Sequence, residues 1–284
     1  IYIIIFLLIY TINMKVLELF SGTHSIGKAC KELGNYQITS VDRDLGASHD
    51  NYTSLNHIQE DILSWDYKQY PQEYFDIITA SPVCLWWSQL RGCWINRKCK
   101  SIHPTDVITK EHIDNDIERY GKPMVDKVFE IIEYFKPKYW WVENPKTGKM
   151  KHYIAEKYPH YNTYYDVDYC KYCDWGYKKS TRFWTNITDF IPKTCKNDCE
   201  NIIGTKHVEN IGSNNYIVKD QDKYVRVNTK AKREKYKDYK RISSIKHKNL
   251  ITDVGGGTNR LQRYRILPKL IKINLKFFFS LHLL

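Results

Sequence analysis

The amino-acid sequence predicts an α/β protein built around a mainly parallel sheet. Apolar runs of strand length recur through the first half of the chain, at residues 15–20, 37–42, 74–80 and 139–142. Stretches with helical spacing separate several of them, as in an alternating α/β chain. Small or acidic residues follow the runs. Because the carboxyl ends of parallel strands share one sheet edge, where ligands bind, these residues form the candidate site.

The composition favours a polyanionic partner. The chain has 284 residues, enough for one large core with a small appended lobe, and its 44 Lys and Arg exceed 32 Asp and Glu to give a formal net charge of +12. Nucleic acid and an acidic membrane both qualify. The 23 tyrosines and eight tryptophans favour nucleic acid, because aromatic rings stack on bases. Eight cysteines are too sparse for a disulfide scaffold, which predicts a reducing compartment such as the cytoplasm.

Both ends of the sequence are apolar. Residues 1–12 are shorter than a membrane span and lack a positively charged leader, and Met14 stands just before the first strand. We therefore expect residues 1–13 to be upstream reading-frame sequence, with a membrane or partner anchor as the alternative. The tail 276–284 carries the same expectation.

Residues after the first three strands predict a nucleoside-type cofactor. The turn Ser21-Gly22-Thr23 leads into a helix that ends near residue 34, and its glycine lets backbone amides approach a polar ligand. Asp42 follows Gly22 by twenty residues, the spacing at which an acid binds ribose hydroxyls. Asp61 and Ile62 lie where they could flank a purine. NAD and S-adenosylmethionine both fit, although the turn lacks the G-x-G-x-x-G spacing of NAD sites.

Cys84 and Glu143 are the candidate catalytic residues. Cys84 follows the run 74–80 and Pro82, and Glu143 follows the run 139–142. Although 59 residues separate them, both lie at strand ends on the same predicted edge, and a nucleophile beside a carboxylic acid suits chemistry on a heteroaromatic ring. The alternative for Cys84 is a small buried hydrophobe. Between them, residues 91–119 are predicted to form a long loop over the site, and residues 124–135 a core helix that Pro137 ends.

The last third of the chain is basic and contains paired cysteines. We expect two more strands at 163–170 and 181–186, then a region whose basic run 230–241 either grips a nucleic-acid backbone or is a solvated linker. Zinc uses ligand types found at Cys170, Cys173, Cys195 and Cys199, with His207 nearby. Their spacing fits no standard finger, so ordinary reduced cysteines are the favoured interpretation and no metal is expected.

In their order, these motifs resemble the cytosine-C5 DNA methyltransferases, especially the compact versions of phages and large DNA viruses. The resemblance spans roughly residues 15–272, and Glu-Asn-Pro after a Trp-rich strand is its most specific part. The matching stretches are Leu17-Glu18-Leu19-Phe20-Ser21-Gly22, Ser81-Pro82-Val83-Cys84 with Ser88, Glu143-Asn144-Pro145, Thr181-Arg182 and Arg265-Ile266-Leu267-Pro268.

The resemblance implies a Rossmann-like S-adenosylmethionine-dependent methyltransferase sheet with a small basic target-recognition lobe. The catalytic domain would span 14–186, the target-recognition region 187–254, and a returning segment 255–275. S-Adenosyl-L-methionine would be the cofactor and double-stranded DNA the partner of a monomeric enzyme without membrane association.

The family's site residues map onto this chain in three groups. Catalysis would fall to Cys84 as nucleophile, Glu143 as acid, and Arg182, which would hold the ring carbonyl and lower the thiol pKa. The implied cofactor contacts are Phe20, Ser21, Gly22, Thr23, Asp42, Asp61, Ile62 and Pro82. The implied nucleic-acid contacts are Ser88, Arg91, Lys178 and Lys179.

The chain departs from the family pattern at several positions. Val83 stands where a second proline is usual, Leu85 where glutamine is usual, and His24-Ser25 where a further glycine is usual; Ser180 and Thr181 precede Arg182 where another arginine is common. Two alternatives follow. One is a tRNA cytosine-C5 methyltransferase of the same fold, and the other a catalytically inactive homologue that binds S-adenosylmethionine and nucleic acid.

Overall fold

The computed structural model describes residues 14–34, 36–44, 56–99, 102–173, 177–203, 206–208, 216–242, 266, 269–273 and 275. The expectations for residues 1–13 and 276–284, and for most of the segment 255–268, lie outside these ranges. Within them, no helix combines the length and the apolar character needed to cross a membrane.

Nine strands precede residue 186 in the described chain. They are β1 (Met14–Leu19), β2 (Tyr36–Asp42), β3 (His57–Gln59), β4 (Ile77–Ala80), β5 (Lys98–Cys99), β6 (His103–Val107), β7 (Tyr139–Pro145), β8 (Tyr164–Asp168) and β9 (Ser180–Thr185). Seven of them form one sheet in the order β3-β2-β1-β4-β7-β9-β8, and β5 and β6 form a separate hairpin. The predicted α/β sheet is therefore confirmed.

The strand directions bring the predicted site residues to one edge. β1 pairs in parallel with β2 and β4, β2 with β3, and β4 with β7, whereas β9 is antiparallel to both β7 and β8. The chain moves outward from β1 to β3 on one side and resumes on the other side with β4. A crevice outside the carboxyl ends of β1 and β4 follows from this reversal, and such crevices bind ligands in open α/β sheets.

Helices cover both faces of the sheet. On these faces lie α1 (Ser25–Leu33), α2 (Lys110–Asp116), α3 (Lys122–Phe135) and α4 (Met150–Lys157). A further helix, α5 (Lys230–Lys235), lies in the last third of the chain and is exposed along its whole length. Residues 269–273 are also helical. Short 3₁₀ turns occupy Tyr67–Gln69, Gln89–Trp94, Pro159–Tyr161 and Tyr169–Lys171, and a π turn at Ile117–Gly121 joins α2 to α3.

Alternation along the strands divides the core in two. Leu17, Leu19 and Val142 pack with α3 and α4, while Val16 and Trp141 pack with α1 and the residues near 270. The predicted apolar stripe of α3 is buried, and the helix ends at Lys136 in the left-handed conformation, immediately before Pro137, as predicted.

The predicted long loop at 91–119 is wrong. The segment contains a 3₁₀ turn, the β5–β6 hairpin and α2, and it is organised around the carboxylate of Asp116. The Arg91 guanidinium forms a buried ion pair with Asp116, and His103 Nε2 lies 2.9 Å from the same carboxylate. Buried polar residues share the interior of this segment with Ile108, Ile113 and Ile117, so the sequence shows no sustained apolar period that would have revealed its structure.

The described residues after 186 form small strands apart from the main sheet. β10 (Ile202–Ile203) pairs with β11 (Lys206–His207), and β12 (Tyr216–Asp220) pairs with both β13 (Lys223–Val227) and β14 (Arg241–Ile242). The three-stranded sheet has a small core of its own, Val218, Val227 and Tyr236. Its position in the chain falls inside the predicted recognition region.

Candidate active site

The loop after β1 is held by the end of β2. The amide of Gly22 donates to Asp42 Oδ2 at 2.9 Å, and the amide of Ser21 donates to the Val41 carbonyl at 3.3 Å. Gly22 has φ +47°, a left-handed conformation that costs glycine little. The other Asp42 oxygen accepts the Asp44 amide at 2.9 Å. Because a carboxylate offers about four lone-pair sites, Asp42 can still bind ribose hydroxyls.

A buried acid that the sequence interpretation did not single out supports this loop. Glu18 accepts hydrogen bonds from the amides of Ile26 and Gly27, at 3.0 and 3.3 Å, and from Ser40 Oγ at 2.9 Å. It thereby caps the first turn of α1, whose N-cap residue, His24, supplies no side-chain cap. Burial raises the pKa of Glu18 to about 7, although its hydrogen bonds oppose the shift. The sequence signal that could have identified Glu18 is an acidic residue in the middle of an apolar strand.

His24 occupies a position that favours glycine. Its φ is +52°, a region that costs a residue with a side chain roughly 1–2 kcal/mol, and the family usually has glycine in this loop. The His24 ring packs edge-on against His57, with 5.0 Å between ring centroids. Thr23 Oγ1 and Ser25 Oγ lie 2.9 Å apart. The side chains that replace glycine therefore contact β3 and stabilise the turn itself.

The third predicted cofactor position follows β3. Asp61 Oδ1 accepts the Leu63 amide at 3.0 Å, while the Asp61 carbonyl accepts the amides of Ser64 and Trp65. Ile62 is buried and belongs to the core beside β1 and β2. The predicted cofactor contacts therefore all lie at the edge of the sheet formed by the carboxyl ends of β1 to β4. They are Phe20, Ser21, Gly22, Thr23, Asp42, Asp61, Ile62 and Pro82.

Three neighbouring elements hold the Cys84 loop. The Ser81 amide donates to the Leu19 carbonyl of β1 at 3.3 Å, and Asn144 Nδ2 of β7 donates to the Pro82 carbonyl at 2.9 Å. On the far side of the cysteine, the Trp87 carbonyl accepts the Lys149 amide at 2.8 Å. The side chain of Asn144, in Glu-Asn-Pro, therefore positions the Cys84 loop by binding the loop's backbone.

The two unusual residues of this loop differ in exposure. Val83 is 39% exposed, so the position makes no packing demand for proline. Leu85 lines a cavity of about 450 Å³ together with Trp86 and residues between 102 and 120. The segment organised by Asp116 thus forms one wall of a cavity whose other wall contains the two residues that follow Cys84.

Glu143 and Lys179 are the charges that act on Cys84. Glu143 is buried, and its Oε1 lies 3.4 Å from both Lys179 Nζ and the Tyr169 hydroxyl, which donate to it. Burial raises the pKa of the Cys84 thiol, the charge of Glu143 raises it further, and Lys179 lowers it. The structure therefore brings a cysteine, a carboxyl group and an ammonium group together.

Arg182 lies on the other face of the sheet from this cluster, contrary to prediction. In the β7–β9 pairing, Glu143 stands opposite Phe183 and Asn144 opposite Arg182, so side-chain alternation sends Arg182 away from Glu143. Its Nε and a terminal nitrogen donate to the two oxygens of Asp166 at 2.8 and 3.0 Å. The guanidinium also lies 3.5 Å from the centroid of Tyr164. Arg182 therefore links β8 to β9.

The four predicted nucleic-acid contacts are engaged within the protein. Ser88 Oγ accepts the Leu90 amide and caps a 3₁₀ turn, and Arg91 is buried on Asp116. Lys178 Nζ donates to the Cys195 carbonyl at 2.8 Å and lies 3.3 Å from Asp168 Oδ2, while Lys179 contacts Glu143. For Arg91 the prediction is wrong, because its side chain is buried against the Asp116 carboxylate. The assignments of Ser88, Lys178 and Lys179 stay predictions.

The family of the chain follows from its similarity to a curated viral protein. No protein-family profile matches the chain. A probable DNA (cytosine-5)-methyltransferase of Frog virus 3 (isolate Goorha) is 43% identical over 192 residues, which cover 66% of this chain and 79% of the relative.

Two solved structures are more distant. The S. pombe Dnmt2 methyltransferase is 14% identical with a TM-score of 0.39, over 65% of this chain and 52% of its own. A SAM-dependent methyltransferase from Archaeoglobus fulgidus is 15% identical with a TM-score of 0.28, over 51% and 50%. The chain thus spans about half the length of each. On the identity and coverage of the viral relative, this chain belongs to the DNA (cytosine-5)-methyltransferase family, whose members use S-adenosyl-L-methionine.

Proposed function

We propose that the protein methylates carbon 5 of cytosine in double-stranded DNA through a transient bond between Cys84 Sγ and ring carbon 6. The observation that carries the proposal is the cluster of Cys84, Glu143 and Lys179 beside the loop after β1. The name of the viral relative supports DNA as the substrate. A base inside a duplex cannot reach such a buried cluster, so the target cytosine must be flipped out of the stack.

The residues at the strand ends fit S-adenosyl-L-methionine, which supplies an electrophilic methyl group when bound. Gly22, in a left-handed conformation, lets the ligand approach the backbone, and Asp42 retains acceptor capacity for ribose hydroxyls. Asp61 follows the neighbouring strand, where its carboxylate can accept from a purine amino group. Pro82 lies between the end of β4 and Cys84, and its carbonyl accepts a hydrogen bond from Asn144.

Nucleophilic addition begins the reaction. The Cys84 thiol gives its proton to solvent, and Sγ forms a bond to carbon 6 as the π bond between carbons 5 and 6 breaks. Negative charge then develops on the ring. Glu143 is the group placed to donate a proton or a hydrogen bond at ring nitrogen 3 and to stabilise that charge. S-Adenosyl-L-methionine, when bound, would supply the methyl group to carbon 5 and leave as S-adenosyl-L-homocysteine. The proton on carbon 5 is then lost to solvent, its bonding electron pair re-forms the 5,6 double bond, and Cys84 leaves carbon 6 as the thiolate.

Lys179 takes the part that the resemblance gave to Arg182. It is the cation in contact with Glu143, and its charge lowers the pKa of the Cys84 thiol. It can also donate to the ring carbonyl oxygen of a cytosine bound between the two residues. A lysine reaching the site from just before β9 therefore replaces the arginine expected within that strand.

Target reading is assigned to residues 187–254. The described part of this region contains the small sheet of β12, β13 and β14, and α5 exposes all of its six residues, four of which are basic: Lys230, Lys232, Arg233 and Lys235. Exposed cations of this kind neutralise phosphates and position a duplex without reading its sequence. The proposed enzyme acts as a monomer on a short recognition site.

Mapping of modified cytosines tests the substrate. We expect bisulfite sequencing of DNA from cells that express residues 14–284 and otherwise lack cytosine-C5 methylation to show methylated cytosines in one short sequence context, with tRNA unmodified. Methylated tRNA beside unmethylated DNA would contradict the proposal in favour of the tRNA enzyme. Unmethylated DNA and tRNA, with S-adenosylmethionine binding intact in the purified protein, would favour the inactive homologue.

The exchange of roles between Lys179 and Arg182 is separately testable. Lys179→Met should lower kcat about a hundredfold, the typical effect of removing one donor from a developing charge. The same variant should slow alkylation of Cys84 by iodoacetamide, because loss of the lysine charge raises the pKa of the thiol. Arg182→Lys, which keeps a positive charge for Asp166, is the matched control and should change neither readout appreciably. The reverse pattern, with loss of activity only in Arg182→Lys, would restore the original assignment.

A further inference from the structure

Four potential metal ligands from three separate segments meet at the start of the proposed recognition region. Ligand atoms of Cys170, Cys195, Cys199 and His207 all lie within 4.8 Å of one another. Cys170 follows β8, Cys195 and Cys199 belong to the loop after β9, and His207 ends β11. Cys173 lies outside the group, because its thiol donates to the Tyr169 carbonyl at 3.2 Å. Of the residues considered from the sequence, His207 and not Cys173 is therefore the fourth member of the cluster.

The spacing of these atoms fits a tetrahedral ion. His207 Nε2 lies 3.5 Å from Cys195 Sγ and 3.3 Å from Cys199 Sγ. A tetrahedron with metal–sulfur bonds of about 2.3 Å and a metal–nitrogen bond of about 2.0 Å has sulfur–nitrogen edges of about 3.5 Å. Both distances match that edge length. A sulfur–nitrogen hydrogen bond could give the same distance for one cysteine, but it would not explain why three cysteines surround the same histidine.

The groups around the cluster are ordered as the outer shell of a metal site would be. Asn201 Nδ2 donates to the carbonyls of Cys170 and Cys173, at 3.0 and 2.8 Å, and the Cys195 amide donates to Asp168 Oδ2 at 2.6 Å. A terminal nitrogen of Arg226, on β13, donates to the His207 carbonyl at 2.6 Å. Three of the four ligands are buried and Cys199 is half-buried. Such backbone support fixes ligand orientation, and it is found at structural sites.

We propose that Cys170, Cys195, Cys199 and His207 bind one Zn²⁺ as a closed structural site. Three thiolates and a neutral imidazole fill all four positions of tetrahedral zinc and leave none for a substrate or water. Without a metal, three cysteines and one histidine this close together would bury four polar side-chain groups against one another, whereas Zn²⁺ offsets the charges of the thiolates. The ion anchors residues 195–207 to the end of β8.

The position of the site links target reading to catalysis. Cys170 directly follows Tyr169, whose hydroxyl donates to Glu143. Lys178, the residue before Lys179, donates to the carbonyl of the ligand Cys195. On the other side, Arg226 connects His207 to the β12–β13 sheet. Removal of the metal should therefore loosen the recognition region and misplace Glu143 and Lys179 at once.

Metal analysis of the purified chain tests the proposal. We expect the full chain, purified without chelators from zinc-supplemented cells, to contain one zinc per chain by inductively coupled plasma mass spectrometry. Exchange with Co²⁺ should give the intense visible absorption of a tetrahedral cobalt–thiolate centre. Neither measurement requires a variant to fold or any methyltransferase activity. A chain with less than a tenth of an equivalent of zinc and no cobalt spectrum would overturn the proposal.

Paired variants identify the ligands. Cys199→Ser should lose most of the zinc, whereas Cys173→Ser, a substitution in the adjacent cysteine pair that lies outside the cluster, should keep it. His207→Cys should retain zinc and shift the cobalt spectrum, because it replaces a nitrogen ligand with sulfur. Equal loss of zinc in Cys173→Ser and Cys199→Ser, with full zinc in His207→Ala, would contradict the ligand set.

Discussion

Cys84→Ser should abolish transfer of labelled methyl groups from S-adenosylmethionine to DNA, with a loss of roughly a thousandfold or more, equivalent to about 4 kcal/mol of transition-state stabilisation. The reason is chemical, because a serine hydroxyl is far less acidic and less nucleophilic than a thiol. Binding of S-adenosylmethionine should persist, since the loop after β1 and the ends of β2 and β3 are unchanged. Scintillation counting of labelled DNA and calorimetric titration of the cofactor measure the two effects.

Cys93→Ser is the matched control for this experiment. Cys93 is exposed and lies in the 3₁₀ turn that follows the Cys84 loop, so the same substitution there changes a neighbouring thiol outside the cluster. This variant should keep its activity. Equal activity of Cys84→Ser and Cys93→Ser would remove Cys84 from the reaction.

Glu143→Gln should slow methyl transfer by roughly a hundredfold or more, because glutamine cannot give a proton to ring nitrogen 3. The same change should speed alkylation of Cys84. The charge of Glu143 raises the pKa of the thiol, so its removal lowers that pKa and increases the thiolate fraction at a given pH. Single-turnover kinetics and peptide mass spectrometry of iodoacetamide-treated protein measure the two rates.

These opposite effects separate chemistry from folding. A variant that merely unfolds would lose methyl transfer and would expose all its cysteines to alkylation, including the buried Cys30. Faster alkylation confined to Cys84 therefore identifies an electrostatic effect. If Glu143→Gln transferred methyl groups at the wild-type rate, the assignment of Glu143 as the acid would be wrong.

The sequence was sufficient to predict which strand ends meet. Gly22, Asp42, Cys84 and Glu143 each follow or end an apolar run, and parallel pairing of β1 with β2 and β4, and of β4 with β7, brings them to one edge. Strand identity and direction alone fix this arrangement, so the local pattern contained the necessary information.

The sequence did not predict which face of the sheet each β9 side chain would occupy. Placing Arg182 or Lys179 in the site depends on the pairing register of β9, and a shift of one residue reverses every side chain of a strand. Asp166, which lies opposite Arg182 on β8, determines the partner of the arginine in the folded chain. Nothing in the local sequence around either residue specifies that contact.

Buried polar groups account for the remaining differences. Arg91, Asp116 and His103 resemble solvated loop residues in sequence, yet they form an interior ion-pair network. Similarly, Cys173 has the favourable C-x-x-C spacing with Cys170, but the fold brings His207 to the other cysteines instead. Partners that are distant in sequence decide both cases.

Covalent trapping tests the central claim most directly. In DNA that contains 5-fluorocytosine at the target position, carbon 5 carries fluorine in place of the proton that must leave, so the Sγ–carbon 6 bond should persist after methyl transfer. We expect the wild-type chain, with S-adenosylmethionine, to form a denaturation-stable complex with this DNA whose cross-linked peptide contains Cys84. Absence of the complex despite measurable cofactor binding, or a cross-link at another residue, would contradict the account.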